Sequence, residues 1–349
     1  MRHDVRGWST CMSQTLAISP LYRYLDDGMK DDPEIQAQRA WIDQDQPNLI
    51  LFMAAVNSVV MENPSCELAQ FYPYLTAHPR PYEEIYPVLR RFCLKEHADE
   101  LHTLLSHARL QTSEPGRCTA LLPAFELVFR AGGRKPLALI EIGSSAGLLL
   151  NWMHYRYQYG ESIVAGSLSS PVRLQCTLDS DQNQLPPLPE TIPPIALCQG
   201  IERFPVDITK EQDRRWLRAC VWTDAIQRYQ RLDDAIELAR QFPPTVHAGE
   251  ASELLPTLLE TITPDTTLCV FHSFALNQGP AEVKKQIVST LTWFSKRQTV
   301  YEVSLEVEPP HRPLPWLELS MYRRGEQWFS EHLATCALHG ESMQWHASY

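Results

Sequence analysis

Leu137-Ala138-Leu139-Ile140-Glu141-Ile142-Gly143-Ser144-Ser145-Ala146-Gly147-Leu148-Leu149-Leu150 is the stretch that decides how the chain is read. Leu137 to Ile142 is an almost unbroken apolar run of the length and composition that suit a strand buried on both faces of a parallel sheet. Five small residues follow and the apolar pattern resumes at Leu148, so the strand is expected to end in a tight turn that opens a helix. Such a turn presents free backbone N–H groups and the positive end of a helix dipole to a ligand, and small side chains let that ligand approach the backbone.

Outward from this stretch, strands are expected at Val172 to Leu178, Ile195 to Gln199, Thr245 to Ala248, Leu268 to His272 and Thr299 to Leu305. A helix over Ala281 to Phe294 between the last two makes a βαβ unit, hence a mostly parallel sheet. Trp316 to Arg323 and the residues from Glu326, joined by Arg324-Gly325, read as a closing antiparallel hairpin. Leu185 to Pro194 carries five prolines in ten residues, which forbids ladder pairing and marks a surface excursion. Upstream, Asn48 to Met61 is nearly all apolar and suits the central helix of a bundle, with Pro33 to Trp41, Tyr82 to Ser106 and Thr119 to Phe129 also helical. The break at Ala131-Gly132-Gly133 then separates a helical amino-terminal domain, 1–132, from an α/β domain, 133–349.

Charge and cysteine usage narrow the function classes. With 31 Lys+Arg against 42 Asp+Glu in 349 residues the formal charge is −11, so a nucleic-acid backbone is repelled on average and is not expected as a partner. The nine cysteines contain no C-x-x-C pair and sit among apolar neighbours, which points to reduced thiols and a cytoplasmic protein. The first residues lack a continuous apolar leader core, and no uninterrupted apolar run is long enough to span a bilayer, so no membrane association is expected. His97, His102 and His107 recur every five residues, turning about 140° each time on a helix, and cannot share a metal-binding face.

Three chemistries could use the turn after Ile142. A dinucleotide fingerprint requires G-x-G-x-x-G, but counting from Gly143 meets Ser145 and Leu148 where glycines belong. Gly143-Ser144-Ser145-Ala146-Gly147 also satisfies G-x-S-x-G, which would make Ser145 the nucleophile of a serine hydrolase with His247 or His272 as base; the helical region upstream and the lack of an oxyanion loop argue against it. The third is the acidic-x-Gly-x-Gly-x-Gly loop of class I S-adenosylmethionine-dependent methyltransferases, matched by Glu141, Gly143, Ser145 and Gly147. In that reading Glu202, at the next strand end, accepts from the ribose hydroxyls, and Gly249-Glu250-Ala251 supplies a carboxylate for the adenine amino group. His272 at a later strand end, or Glu114, is the candidate base, and Arg117 binds a carboxylate of the acceptor. The plainer alternatives stay open: a tight turn, surface or capping carboxylates at Glu202 and Glu250, a hydrogen-bonded structural histidine, and helix capping by Ser113-Glu114.

The order of segments resembles a bacterial family grouped as domain of unknown function 2332, similar in fold to class I methyltransferases. The resemblance rests on Ser19-Pro20-Leu21-Tyr22, Asp31-Asp32-Pro33-Glu34, Phe71-Tyr72-Pro73, Gln111 to Cys118 and the glycine loop. Pro205 to Thr209, Trp216 to Ala219 with Val221-Trp222, Gly249-Glu250-Ala251 and Phe271-His272-Ser273 extend it over nearly the whole chain. It implies a Rossmann-like, methyltransferase-type sheet, S-adenosylmethionine as cofactor and a small or medium-sized acceptor bound between the domains, with no established reaction to carry over. A binding module that holds a nucleoside-like metabolite without turnover is the alternative. The family pattern has Asn where this chain has Leu149, Asp at Met153, Glu202 and Glu250, and Asn at Ser113, departures that leave an altered ligand or a decayed site open.

Overall fold

Among the described residues the elements from Pro20 to Ala131 are helices, and the first strand begins at Leu137, where the apolar patterning puts it. These elements are taken from a computed structural model that describes residues 19–43, 46–179, 185–277, 279–308 and 312–348. By contact the chain divides into two compact units, one of residues up to 112 with 208–233, the other of 113–207 with 234–349.

The first unit is helical. Its central helix, Asn48–Glu62, buries every residue from Leu51 to Val60, as its apolar sequence requires. Ser19 caps the helix Pro20–Lys30 and Asp32 the helix Pro33–Arg39, each followed by proline at the first helical position, where a missing N–H costs nothing. Residues 208–233 return from the middle of the sheet to complete this core: Trp222 stacks on Tyr22 with centroids 4.1 Å apart, and Asn57 Nδ2 donates to Ala219 O at 3.1 Å.

All strands belong to the second unit. They are β1 Leu137–Ile142, β2 Arg156–Tyr159, β3 Ile163–Gly166, β4 Arg173–Leu178, β5 Ile195–Glu202 and β6 Thr245–Ala248. The rest are β7 Thr267–Ser273, β8 Val300–Glu308, β9 Arg312–Arg323, β10 Glu326–Cys336 and β11 Ser342–Trp345. They form one sheet in the order β3-β2-β4-β11-β10-β9-β8-β7-β1-β5-β6. In sheet order the strands β8, β7, β1, β5 and β6 are parallel, and β9 runs antiparallel to both β8 and β10, so the mostly parallel α/β sheet with an antiparallel carboxy-terminal hairpin is observed. After an excursion through β2, β3 and β4 at the far end of the sheet, the chain lays β5 and β6 outward from one side of β1, then crosses to its other side for β7 and β8. The order therefore reverses between β1 and β7, the kind of point where open α/β sheets bind ligands.

Strand alternation sorts β1 into two faces. Ile140 and Ile142 join Leu268 and Val270 under Leu255, Leu259, Ile287 and Leu291, from the helices Ala251–Glu260 and Ala281–Phe294. On the other face Phe125 of the helix Cys118–Ala131 meets Phe271 edge-on at 5.1 Å and Trp152 at 4.9 Å. Two expectations change here. The helix 118–131, placed by sequence with the amino-terminal helices, packs on the sheet, because its buried side is needed to cover this face. The α-helix expected after the glycine turn is a seven-residue 3₁₀ segment, Leu148–His154, which leads at once into β2.

Leu291 is fully buried in the helix-covered face, whereas Trp293 two residues on is 52% exposed. Leu291→Ala is expected to cost about 2–5 kcal/mol in urea unfolding and Trp293→Ala within about 0.5 kcal/mol, the contrast checking that this face is core.

Candidate active site

The glycine turn has a regular backbone rhythm: φ is +74° at Gly143, +52° at Ser145 and +72° at Gly147. The left-handed conformation at every second residue is the physical content of the Gly-x-Gly-x-Gly spacing, and at Ser145 it is adopted without a glycine. Close packing adds a second reason for small residues. A Cβ on Gly143 would collide with Ala275 Cβ, one on Gly147 would lie 2.7 Å from Pro244 Cβ, and one on Gly200 of β5 would strike Ser144 Oγ.

The expectation of free N–H groups is corrected by their partners. Gly143 and Ser144 donate to Ile201 O at 2.9 and 3.3 Å, and Gly147 to Ser144 O at 2.7 Å. Ser145 N donates to Glu202 Oε2 at 2.7 Å, and Ala146 N reaches Ser113 Oγ at 3.5 Å. The N–H groups of Gly143 to Gly147 are thus engaged within the protein, and the turn opens a short 3₁₀ segment in place of the α-helix. What the turn leaves unpartnered is hydroxyl: Ser144 Oγ and Ser145 Oγ are buried without a hydrogen-bond partner, as are Ser273 Oγ at the end of β7 and Glu141 Oε2.

Glu141 and Glu202 share a face. Glu141 pairs in register with Gly200, so Glu202, two residues on, projects to the same side, and Ser144 Oγ packs against Gly200 there. Burial raises the Glu141 carboxyl well above the usual range and the charge of Glu202 raises it further, against the lowering effect of Arg117. Glu202 is a brace: besides Ser145 N it accepts from Phe204 N at 3.1 Å. Arg117 is buried, with Nη1 3.4 Å from Ser273 O and its guanidinium 4.2 Å from the centroid of Phe274. Glu114 is buried as well, accepts from Gly116 N at 3.1 Å and lies 3.8 Å from His339 Nδ1. That backbone bond caps the short 3₁₀ turn Pro115–Arg117, whereas the helix Cys118–Ala131, for which the cap was expected, has no side-chain cap.

Glu250 stands apart. It precedes the helix Ala251–Glu260 without capping it, and pairs with Arg203 at 2.6 Å where both side chains are substantially exposed. Gly249 N donates to Glu202 O at 2.9 Å and thereby ties the end of β6 to β5.

His272 is not brought together with Glu114 and Arg117. It pairs in register with Ile142 and so projects to the opposite face from Glu141. There Nδ1 is 2.7 Å from Glu306 Oε1 and Nε2 is 3.4 Å from Glu302 Oε1. Burial pushes its pKa down, but the hydrogen bonds and charges of the two glutamates outweigh burial and raise it to about 9. An imidazolium with both nitrogens engaged has no site for an incoming proton, so the base expected at His272 is a buried, hydrogen-bonded cation. Ser145 Oγ makes no hydrogen bond to either imidazole proposed for it, and His247 Nε2 faces Gln199 Oε1 at 3.0 Å. Glu302 and Glu306 were missed by the sequence reading. The signal was two glutamates at even spacing in the apolar strand Val300–Val307, where an inward carboxylate needs a partner.

Among the described residues no group of three or more His, Cys, Asp or Glu is placed to hold a metal, and no helix is long and apolar enough to cross a membrane.

A carboxyl raised above its ordinary range by folding binds its proton more tightly in the folded than in the unfolded chain, so it lowers stability as pH rises above that range, by at most about 1.4 kcal/mol per pH unit. Glu141→Gln removes that dependence. The variant is expected to be more stable than the parent at pH 8, with the advantage shrinking toward pH 5, as read from urea midpoints across that range.

No curated protein and no solved structure matches the chain. A family model described as "Uncharacterized protein conserved in bacteria (DUF2332)" matches residues 12–345, close to the whole length. The chain belongs to that family.

Proposed function

We propose that the second unit binds an adenosyl ligand, S-adenosylmethionine in the first instance, over the ends of β1 and β5, and transfers its methyl group to a small or medium-sized acceptor. The observation that carries this reading is the pairing of an N–H-satisfied turn with unpartnered hydroxyls beside two carboxyl groups. A ligand bearing phosphates would need the N–H groups that Ile201, Glu202 and Ser144 already hold. A nucleoside without phosphate instead offers ribose and base atoms to the Ser144 and Ser145 hydroxyls and to Glu202, with the buried carboxyl of Glu141 beside them. The residues fit the group on this ground and not through an empty glycine cradle, since Ala275 and Pro244 fill the space beside Gly143 and Gly147.

Bound there, the sulfonium supplies an already activated methyl group, and the remaining work is alignment and removal of a proton where the acceptor carries one. With His272 charged, Glu114 takes that proton, and Arg117 orients an acceptor carboxylate. Glu250 reaches the adenine amino group only after parting from Arg203, an exposed pair that costs little to open. Binding without turnover is the second reading, favoured by the apolar Leu149 and Met153 beside the turn.

Titration with S-adenosylmethionine, S-adenosylhomocysteine and NAD, followed by thermal shift and calorimetry, tests the reading. At a hundredfold excess over Kd either adenosyl ligand is expected to add about 2.7 kcal/mol of stability. NAD should add none, and Glu202→Ala should weaken adenosyl binding at least about tenfold. No shift at millimolar adenosyl ligand, or a preference for NAD, would overturn it; binding with no methyl transfer to any carboxylate-bearing acceptor would leave the binding module.

A further inference from the structure

The buried cation at His272 has a purpose beyond its own satisfaction. Glu306 Oε1, which faces His272 Nδ1, also accepts from Ala275 N at 3.0 Å and Leu276 N at 3.1 Å, while Oε2 accepts from Asn277 N at 3.3 Å. Three consecutive backbone N–H groups thus converge on one carboxylate, in a segment that leaves β7 through Phe274 in the left-handed conformation, φ +54°. Leu276 is buried in the core of that face, and Ala275 Cβ occupies the space beside Gly143. A carboxylate on β8 therefore holds the strap that closes one side of the β1 turn.

We propose that Glu306 is a positioning residue for the Gly143–Gly147 turn: clamped by His272, it pins the strap of Ala275, Leu276 and Asn277 against Gly143 and so sets the shape of the turn a ligand would meet. The latch stands on the geometry of this face alone; its bearing on ligand affinity rests on the adenosyl reading above. The groups facing His272 are Glu302 and Glu306 of β8. Tyr322 of β9 donates to Glu302 Oε2 at 2.7 Å, and Lys284 of the helix Ala281–Phe294 acts on the charge of Glu302. Burial would raise the Glu302 carboxyl, but His272 and the Tyr322 hydroxyl keep it below the usual range. His272 binds its proton more tightly in the folded state, so what it contributes is fully present below the ordinary histidine pKa near 6.5 and is lost as pH rises through about 9.

Hydrogen exchange of the parent, Glu306→Gln and His272→Gln tests the latch without any ligand. In Glu306→Gln the protection factors of Ala275, Leu276 and Asn277 should fall at least about tenfold while those of β9 and β10 stay within about twofold. In the parent, protection of the same amides should drop between about pH 8 and 10, and in His272→Gln, whose amide can still donate to Glu306, that step should be absent. Unchanged protection in Glu306→Gln, or a loss spread equally over the sheet, would overturn the proposal, as would a pH step that persists in His272→Gln. S-adenosylhomocysteine affinity is read last: a loss of at least about fivefold in Glu306→Gln supports positioning, and unchanged affinity with the strap released overturns it. No binding by the parent overturns the adenosyl reading and limits Glu306 to holding the strap.

Discussion

A parallel strand with no solvent on either side must place every side chain in one of two dry layers, and β1 imposes that choice on the whole candidate site. Register then carries it to the neighbours, since residues level with one another in adjacent parallel strands share a face. Glu141, Glu202 and Ser144 thereby fall on the side covered by the helix 118–131, and His272, Glu302 and Glu306 on the side covered by the helices 251–260 and 281–294. The same alternation that builds the core divides the titratable groups at its carboxyl end into two sets that cannot act on one atom.

The two sets meet the cost of burying a titratable group in opposite ways. Glu141 has a like-charged neighbour and an unpartnered oxygen, and burial and that neighbour both shift it toward the neutral acid. His272 has two carboxylates, one of them tied to three backbone N–H groups, and the lower-energy state is the cation. Removing a single partner from the second network would strand a buried charge, and such losses are costlier than the net worth of the pair. That favours a rigid role for the His272 side and leaves the Glu141 side, with its unspent hydroxyls, as the chemically open one.

Much of the fold was legible because its signals are local. The helix 281–294, the strands β1, β4, β6 and β7 and the hairpin across Arg324-Gly325 follow from apolar runs, proline and glycine placement. The place of Ser145 in the glycine spacing was legible too, but its left-handed backbone was not, because serine carries no sequence signal for it. What escaped is set by distant partners. β2 and β3 are four residues each and gain their identity only by pairing beside β4. The return of 208–233 to the helical unit depends on Tyr22 and Asn57, well over a hundred residues away. The N–H groups of the glycine turn look free in sequence because Glu202, which takes one, lies 57 residues downstream.

That last partner also bears on which ligands the site can tolerate. A carboxylate hydrogen-bonded to the turn places negative charge where dinucleotide sites hold a phosphate, and the chain's formal charge of −11 extends the same sign outward. A pyrophosphate would have to displace Glu202 and then bind beside it, two unfavourable steps, and the buried Arg117 is already engaged by Phe274 and Ser273. A ligand with a positive centre and neutral hydroxyls meets neither obstacle. Glu202 can turn one oxygen to it while the other still braces the backbone, as its two separate N–H contacts allow. Electrostatic sign, more than the glycine spacing, is therefore what separates the adenosyl reading from the dinucleotide one.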